Sequence, residues 1–423
     1  MTEFILGACR NGIRKKMKSM LKSFVIEFLL ISSSLFAQQR IDSTITIEKI
    51  LALTEDEVDI GLADLVLAKD FYPNLKIEYF LYLFDFMADR FNRFFGHYSD
   101  PDLRVRSLNT FLYQKGAWND SICFSYDDDD LKVTKLSNKF INGYLSTKKG
   151  SCITLPMMYV IFAERLGFPI YASRLPYHFF VRYISEEQNS KFQENVEATN
   201  GGSYVSDKEY KRNFLVPDKA LKNGVYLRTL TKKQYIASLL LTNANEWMMR
   251  KNLEKAKYYL MLSMKYDSTF SSAYMNYGLV HFQEARLLEE KLWKEKQSEI
   301  AFYRLSQNKS TQPSPLSARK QPKLPEPDYN TFQVPIQNIL TPKNQPQQSI
   351  PPKEEKNLPV NLELQISLAQ IEENYVPLIR AKLAVYHQYK QKAEDLGIVK
   401  GYPLFFFQHQ SEALKQYQEK GVK

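Results

Sequence analysis

The chain has 423 residues and a mass of 49.5 kDa, with 44% hydrophobic and 25% charged residues, which excludes a wholly disordered chain, a collagen and a multi-span membrane protein and gives a length for two to three domains. Aromatic residues reach 13%, with 27 Phe and 27 Tyr, as in well-packed cores and aromatic-lined clefts. The formal charge is +10, but residues 1–37 hold six Lys/Arg and two Asp/Glu, so a chain starting at Gln38 carries +6 from 51 basic and 45 acidic residues; no nucleic-acid partner is expected from so mild a surplus.

Residues 1–37 read as a signal peptide. A basic start at Lys18 and Lys22 leads into the apolar stretch Phe24 to Phe36, and Ala37 before Gln38 supplies the small residue of a cleavage site. The stretch is too short for a span of about 20 residues, so export to the periplasm or beyond is expected, with no stable membrane span. Residues 1–16 precede the basic region and read as an upstream extension from a mis-called start. Cys9 leaves with this leader, so the mature chain keeps Cys123 and Cys152. An exported protein can pair two such cysteines, and a Cys123–Cys152 disulfide stays open beside a free thiol.

Along residues 46–97 the 3-to-4 spacing of Leu62, Leu65, Val66 and Ala68, then Ile77, Phe80, Leu81, Phe84 and Met87, predicts amphipathic helices broken at Pro73, and another is expected from Asp102 to Gln114. Residues 40–120 thus form a helical N-terminal segment. The run Asp127 to Asp130 reads as a solvated loop. Leu155, Met158, Ile161, Phe162 and Leu166 predict a helix that Gly167 ends, with Pro156 in its first turn and Cys152 at or just before its start. Ile170 to Arg174, Phe179 to Ile184 and Gln193 to Ala198 read as strands. Residues 121–229 form an α+β core on this reading.

From Leu230 only helical patterns remain. Ala244, Ala256 and Ser263, with Gly278 34 positions after Ala244, resemble the tetratricopeptide repeat over 230–306, against the plainer alternative of a generic helical hairpin. Residues 307–359 contain eleven of the nineteen prolines and no glycine and read as a disordered Pro/Gln-rich linker. A helical tail over 360–423 follows, kinked at Pro377 and carrying the patch Leu404 to Phe407, and is expected to dock on the helical region.

Three residues form a candidate site. A thiol at a helix start, Cys152, lies in the positive field that favours the thiolate. His178 on a following strand can take its proton and return it to a leaving group. Glu197 on the next strand can orient the imidazole, which is the triad logic with Cys for Ser, and Asn195 on the same strand face competes for that role. His97, His281, His387 and His409 have no such context. No Walker loop, dinucleotide fingerprint or zinc spacing is present, so no cofactor and no metal is expected.

The run Lys148 to Tyr183 resembles the transglutaminase-like core, through Gly150-Ser151-Cys152, the helix end Ala163-Glu164-Arg165-Leu166-Gly167 and the strand Pro176-Tyr177-His178-Phe179-Phe180-Val181-Arg182. It is similar within that superfamily to the bacterial branch typified by the SirB-one regulators, and the likeness extends over roughly residues 55–285. The resemblance implies a papain-like α+β fold with the Cys helix packed on an antiparallel sheet, Cys152 as nucleophile and His178 as base. The superfamily usually has Asp where this chain has Glu197, and many members of the SirB-one branch lack the Cys that this chain retains. The expected activity is acyl transfer from a protein or peptide substrate, as a peptidase, amidase or transamidase, with backbone N–H groups at the helix start stabilising the oxyanion. The alternative is a catalytically inactive scaffold whose helical repeats hold a protein partner.

Overall fold

The computed structural model describes residues 45–184, 195–307 and 362–398. Residues 1–37, read above as a signal peptide, nearly all of the Pro/Gln-rich stretch 307–359 and the Leu404 to Phe407 patch lie outside the described residues. Four helices come first: α1 (Ile47–Ala52), α2 (Ile60–Ala68), α3 (Ile77–Phe95) and α4 (Pro101–Tyr113). The break between α2 and α3 contains Pro73, as the spacing predicts. A short parallel pair, β1 (Ser125–Tyr126) with β2 (Lys149–Gly150), brackets α5 (Ile141–Thr147), and α6 (Thr154–Leu166) leads into the antiparallel meander β3 (Ile170–Leu175), β4 (His178–Tyr183), β5 (Asn195–Glu197) and β6 (Ser203–Val205). Two short helices, α7 (Asp207–Asn213) and α8 (Asp218–Lys222), complete the α+β part.

Helix α6 is the centre of this part because it is apolar on every side, with each residue from Thr154 to Ala163 buried. A helix without a polar face must be enclosed by other elements. The sheet covers it on β3 and β4, α2 and α3 cover it from the helical segment, and α5 covers it from within the α+β part. It ends as the sequence predicts, at Gly167 with φ +66°, where the Gly167 and Phe168 N–H groups both reach the Ala163 carbonyl.

The all-helical part consists of α9 (Lys232–Met249), α10 (Leu253–Tyr266), α11 (Ser271–Gln307) and α12 (Leu362–Leu396). Ala244, Ala256 and Ser263 are fully buried, and the Ser263 hydroxyl donates to the Ala237 carbonyl at 2.6 Å where α9 and α10 touch. Helix α11 runs for 37 residues instead of stopping after a repeat-sized helix, and its long partner is α12. Gly278 serves that contact: a Cβ there would stand 3.1 Å from the Tyr386 carbonyl oxygen of α12. The C-terminal helix therefore docks on the helical region. Among the described residues no helix is long and apolar enough to cross a membrane.

Buried ion pairs tie the helical part to the sheet. The Arg174 guanidinium of β3 meets Asp267, between α10 and α11, at 2.6 Å, with both side chains 1% exposed. Arg228 and Thr269 also bind Asp267, and Lys139 pairs with Glu246 of α9. Such pairs contribute little against an apolar replacement, but removing one partner strands a buried charge, a loss of about 3–5 kcal/mol. The Asn243 amide of α9 adds a bond to the Leu67 carbonyl of α2 at 2.9 Å.

One expectation is corrected. The run Asp127 to Asp130 is only half solvated, because Asp127 and Asp130 turn inward and are buried. The Asn138 amide donates to both, at 2.8 Å each, and Asp130 also accepts from the Thr134 and Lys135 N–H groups. Protein donors fill both oxygens of Asp130 and Oδ2 of Asp127, where the Lys135 ammonium joins Asn138, and Asp128 and Asp129 keep the solvent-facing side.

Asp64 of α2 is buried and accepts the Ile141 N–H at the start of α5 at 2.7 Å, and burial pushes its carboxyl up to about 7. A folded value raised above the ordinary 3.8 means stability that is complete at low pH and lost as pH rises through about 7. Asp64→Asn keeps an acceptor without the ionisation. Thermal melts are therefore expected to show the variant gaining several degrees on the parent between pH 5 and pH 8; equal pH dependence of the two would exclude a neutral Asp64.

Candidate active site

The loop before α6 is held from both sides. Gly150 pairs with Tyr126 across β1 and β2, and a side chain there would collide with Thr154, Tyr144 and Leu155 at 2.5 to 2.7 Å, so only glycine fits. The Ser151 hydroxyl donates to the Asn138 carbonyl at 2.7 Å and accepts the Ile153 N–H at 3.0 Å, while the Thr154 hydroxyl accepts the Ser151 N–H at 3.0 Å. Cys152 thus sits two residues before the first helical residue, Thr154, on a rigid turn. The acidic loop braces the same turn through Asn138.

Cys152 is 7% exposed and Cys123 is partly exposed, and both are free thiols in this structure, with no disulfide between them. The Cys152 N–H makes no hydrogen bond among the described residues. The thiol lies 3.8 Å from the Tyr177 carbonyl and is hydrogen-bonded to the His178 ring. Tyr177 occupies the two-residue turn between β3 and β4 with φ +60°, a left-handed conformation that a tyrosine adopts only under constraint. That turn sets His178, the first residue of β4, over the sulfur.

His178 Nε2 meets Glu197 Oε2 at 2.7 Å, which leaves Nδ1 as the nitrogen facing the sulfur. Continuing the β4–β5 register from Val181↔Val196 puts Glu197 opposite Phe180, so His178 is its diagonal neighbour. Diagonal positions lie about 7–8 Å apart, within reach of long side chains. The extra methylene that distinguishes Glu from Asp suits that span. Glu197 also closes the turn after β5, its Oε1 accepting the Thr199 N–H at 3.0 Å and hydroxyl at 2.6 Å, and its Oε2 accepts the Tyr210 hydroxyl at 2.8 Å. Asn195 is elsewhere. It accepts from Arg182 at 2.8 Å and donates to the Val205 carbonyl and to Asp207, at 2.9 and 2.7 Å.

Of the sequence-predicted residues, then, Cys152, His178 and Glu197 come together and Asn195 does not. The sequence reading missed Tyr210, Thr199 and Phe214, whose ring stacks on His178 at 5.1 Å. Tyr126, paired with Gly150, also feels the charges of Cys152 and Glu197, and burial together with those charges pushes its phenol well up.

Electrostatics favour a charged His–Glu pair. Burial works against the imidazolium, but the Glu197 carboxylate and the Cys152 sulfur outweigh it and hold His178 up to about 10. Burial also opposes the Glu197 carboxylate, yet the imidazolium and the Thr199 donors keep it below the usual carboxylate range.

Residues 82–240 match the family model of the transglutaminase-like superfamily. No curated protein and no solved structure matches the chain. The transglutaminase-like span runs from within α3 to the middle of α9, so it contains the Cys turn, the whole meander and the helices that enclose α6. Among the described residues no group of three His, Cys, Asp or Glu side chains could hold a metal ion.

The raised imidazole has a signed consequence. Its contribution to stability is complete below the ordinary 6.5 and is lost as pH rises through about 10, while that of the lowered Glu197 is lost as pH falls below 4.5. In histidine-labelled protein followed by NMR, the His178 ring is expected to titrate near pH 10, and Glu197→Gln is expected to bring that midpoint down by more than about one pH unit. A midpoint near 6.5 in the parent protein would contradict the charged pair.

Proposed function

We propose that this chain is an exported cysteine acyl-transfer enzyme in which Cys152 is the nucleophile, His178 the acid and base, and Glu197 the orienting carboxylate. The observation that carries the reading is the imidazole bound on one side by a buried carboxylate and on the other by a free thiol. The transglutaminase-like match over 82–240 supports the same class of chemistry. In finer terms the reading is a papain-like core of the SirB-one type, with α9 and α10 as a tetratricopeptide-like hairpin behind it and the leader at 1–37 directing export.

The reaction begins with the sulfur as thiolate, the nucleophilic form of cysteine, beside an imidazolium. The sulfur attacks a carboxamide or peptide carbonyl, forming the C–S bond while the carbonyl oxygen takes the electron pair. The unengaged Cys152 N–H is the donor available to that oxyanion. Collapse breaks the C–N bond, and the amine leaves with the proton that His178 Nδ1 gives up. A thioester on Cys152 remains. Water or a second amine then attacks it, neutral His178 takes the proton of the attacking group, and the thiolate is restored.

Reactivity separates this reading from an inactive scaffold because accessibility points the other way. Cys123 is the more exposed thiol and Cys152 the buried one, so a plain alkylating agent limited by access would label Cys123 first. With iodoacetamide and mass-spectrometric mapping, Cys152 is expected to react at least about tenfold faster than Cys123 at pH 7, and His178→Ala is expected to remove that advantage. Preferential labelling of Cys123 would favour the scaffold.

A further inference from the structure

Helix α7 has only seven residues, yet two of its contacts reach the candidate dyad. A capping box starts it, the Ser206 hydroxyl accepting the Glu209 N–H and the Glu209 carboxylate accepting the Ser206 N–H. Its first residue, Asp207, is bound at one oxygen by the Arg182 guanidinium at 2.6 Å and the Asn195 amide at 2.7 Å, which fixes the helix to β4 and β5. Tyr210 and Phe214, the residue directly after the last of the helix, follow at a spacing of four and share one face. From that face the buried Tyr210 hydroxyl reaches Glu197, and the Phe214 ring lies on the imidazole.

We propose that α7 is the positioning element of the site, with Tyr210 a positioning residue that acts on His178 through Glu197. The inference rests on the acyl-transfer reading given above and assigns a further residue to that same site. An ionised carboxylate only accepts, so the Tyr210 hydroxyl must donate. It donates to the same oxygen, Oε2, that the imidazole uses, while Thr199 fills Oε1 from the other side. With two donors on each oxygen, the carboxylate cannot rotate toward one partner without losing another. The tyrosine hydroxyl therefore fixes where the carboxylate stands and also stabilises its negative charge.

Packing and hydrogen bonding can be separated here. The Tyr210 ring packs on Phe180 with centroids 4.5 Å apart and on Phe214 at 5.7 Å, and Tyr210→Phe keeps both contacts while deleting one oxygen. Without that donor the cluster holds its negative charge less well, so protons bind at higher pH.

The measurement is the rate of Cys152 alkylation by iodoacetamide in the full chain as a function of pH. In Tyr210→Phe the rate at pH 7 is expected to fall by roughly tenfold, and the acid-side midpoint is expected to rise by about half a pH unit or more. A purely structural role would lower the melting temperature and leave that midpoint in place. Tyr210→3-fluorotyrosine, a stronger donor of nearly the same size, is expected to move the midpoint the opposite way and serves if the phenylalanine variant does not fold. Profiles of either folded variant that overlay the parent overturn the inference. If the parent's Cys152 does not outpace Cys123, the acyl-transfer reading fails instead, so the two failures are distinguishable.

Discussion

Glu197 is a carboxylate buried in the protein interior, and much of the α+β part is arranged around the cost of that burial. A buried anion needs a donor at each available lone pair or it takes up a proton. Here the donors come from three elements: the strand that carries His178, the turn after β5, and α7. Each arrives from a different direction, so the carboxylate fixes the placement of these elements at the site, beside the bonds that Asp207 makes to Arg182 and Asn195. The imidazole gains its charge from this arrangement. The sulfur, held on its own rigid turn, meets a ring whose second nitrogen is already committed.

The two halves of the site depend on different forces. The sulfur side rests on packing, because α6 is enclosed on all sides and Gly150 leaves no room for a side chain. The imidazole side rests on polar bonds across the sheet edge. The helical part reaches the sheet from behind, through Arg174 and Asp267, and Arg174 is four residues from His178 across the hairpin turn. A change at Asp267 would strand the guanidinium charge in β3, close to the turn that carries Tyr177 and far in sequence from any site residue.

The sequence made the helix of Cys152, its stop at Gly167 and the strands of His178 and Glu197 legible, because apolar periodicity and glycine act locally. The choice between Glu197 and Asn195 was not legible. Both lie on one strand face, and only the pairing register says which of them lies diagonal to His178. Tyr210 was hidden for a different reason. The signature Ser206-Asp207-Lys208-Glu209 marks the start of its helix, but nothing local tells that a tyrosine 13 residues beyond Glu197 returns to the same carboxylate. The acidic run misled because composition suggests solvent, whereas Asn138 and the backbone of Thr134 and Lys135 supply the donors that bury two of its members. The length of α11 also escaped the spacing argument, since its partner helix comes from beyond residue 361.

Helix α12 runs back along α11, and at its far end the Asn223 amide donates to the Asp395 and Leu396 carbonyls while Gly397 lies against Ala220. These bonds join positions more than 170 residues apart. Contacts of such separation form late, after the loop they close has been restrained by other means. During synthesis the α+β part, with Cys152, His178 and Glu197 in it, leaves the ribosome long before α12 exists. The final helix therefore closes over a core that has already had time to assemble, and the order of synthesis matches the order in which the contacts can be made.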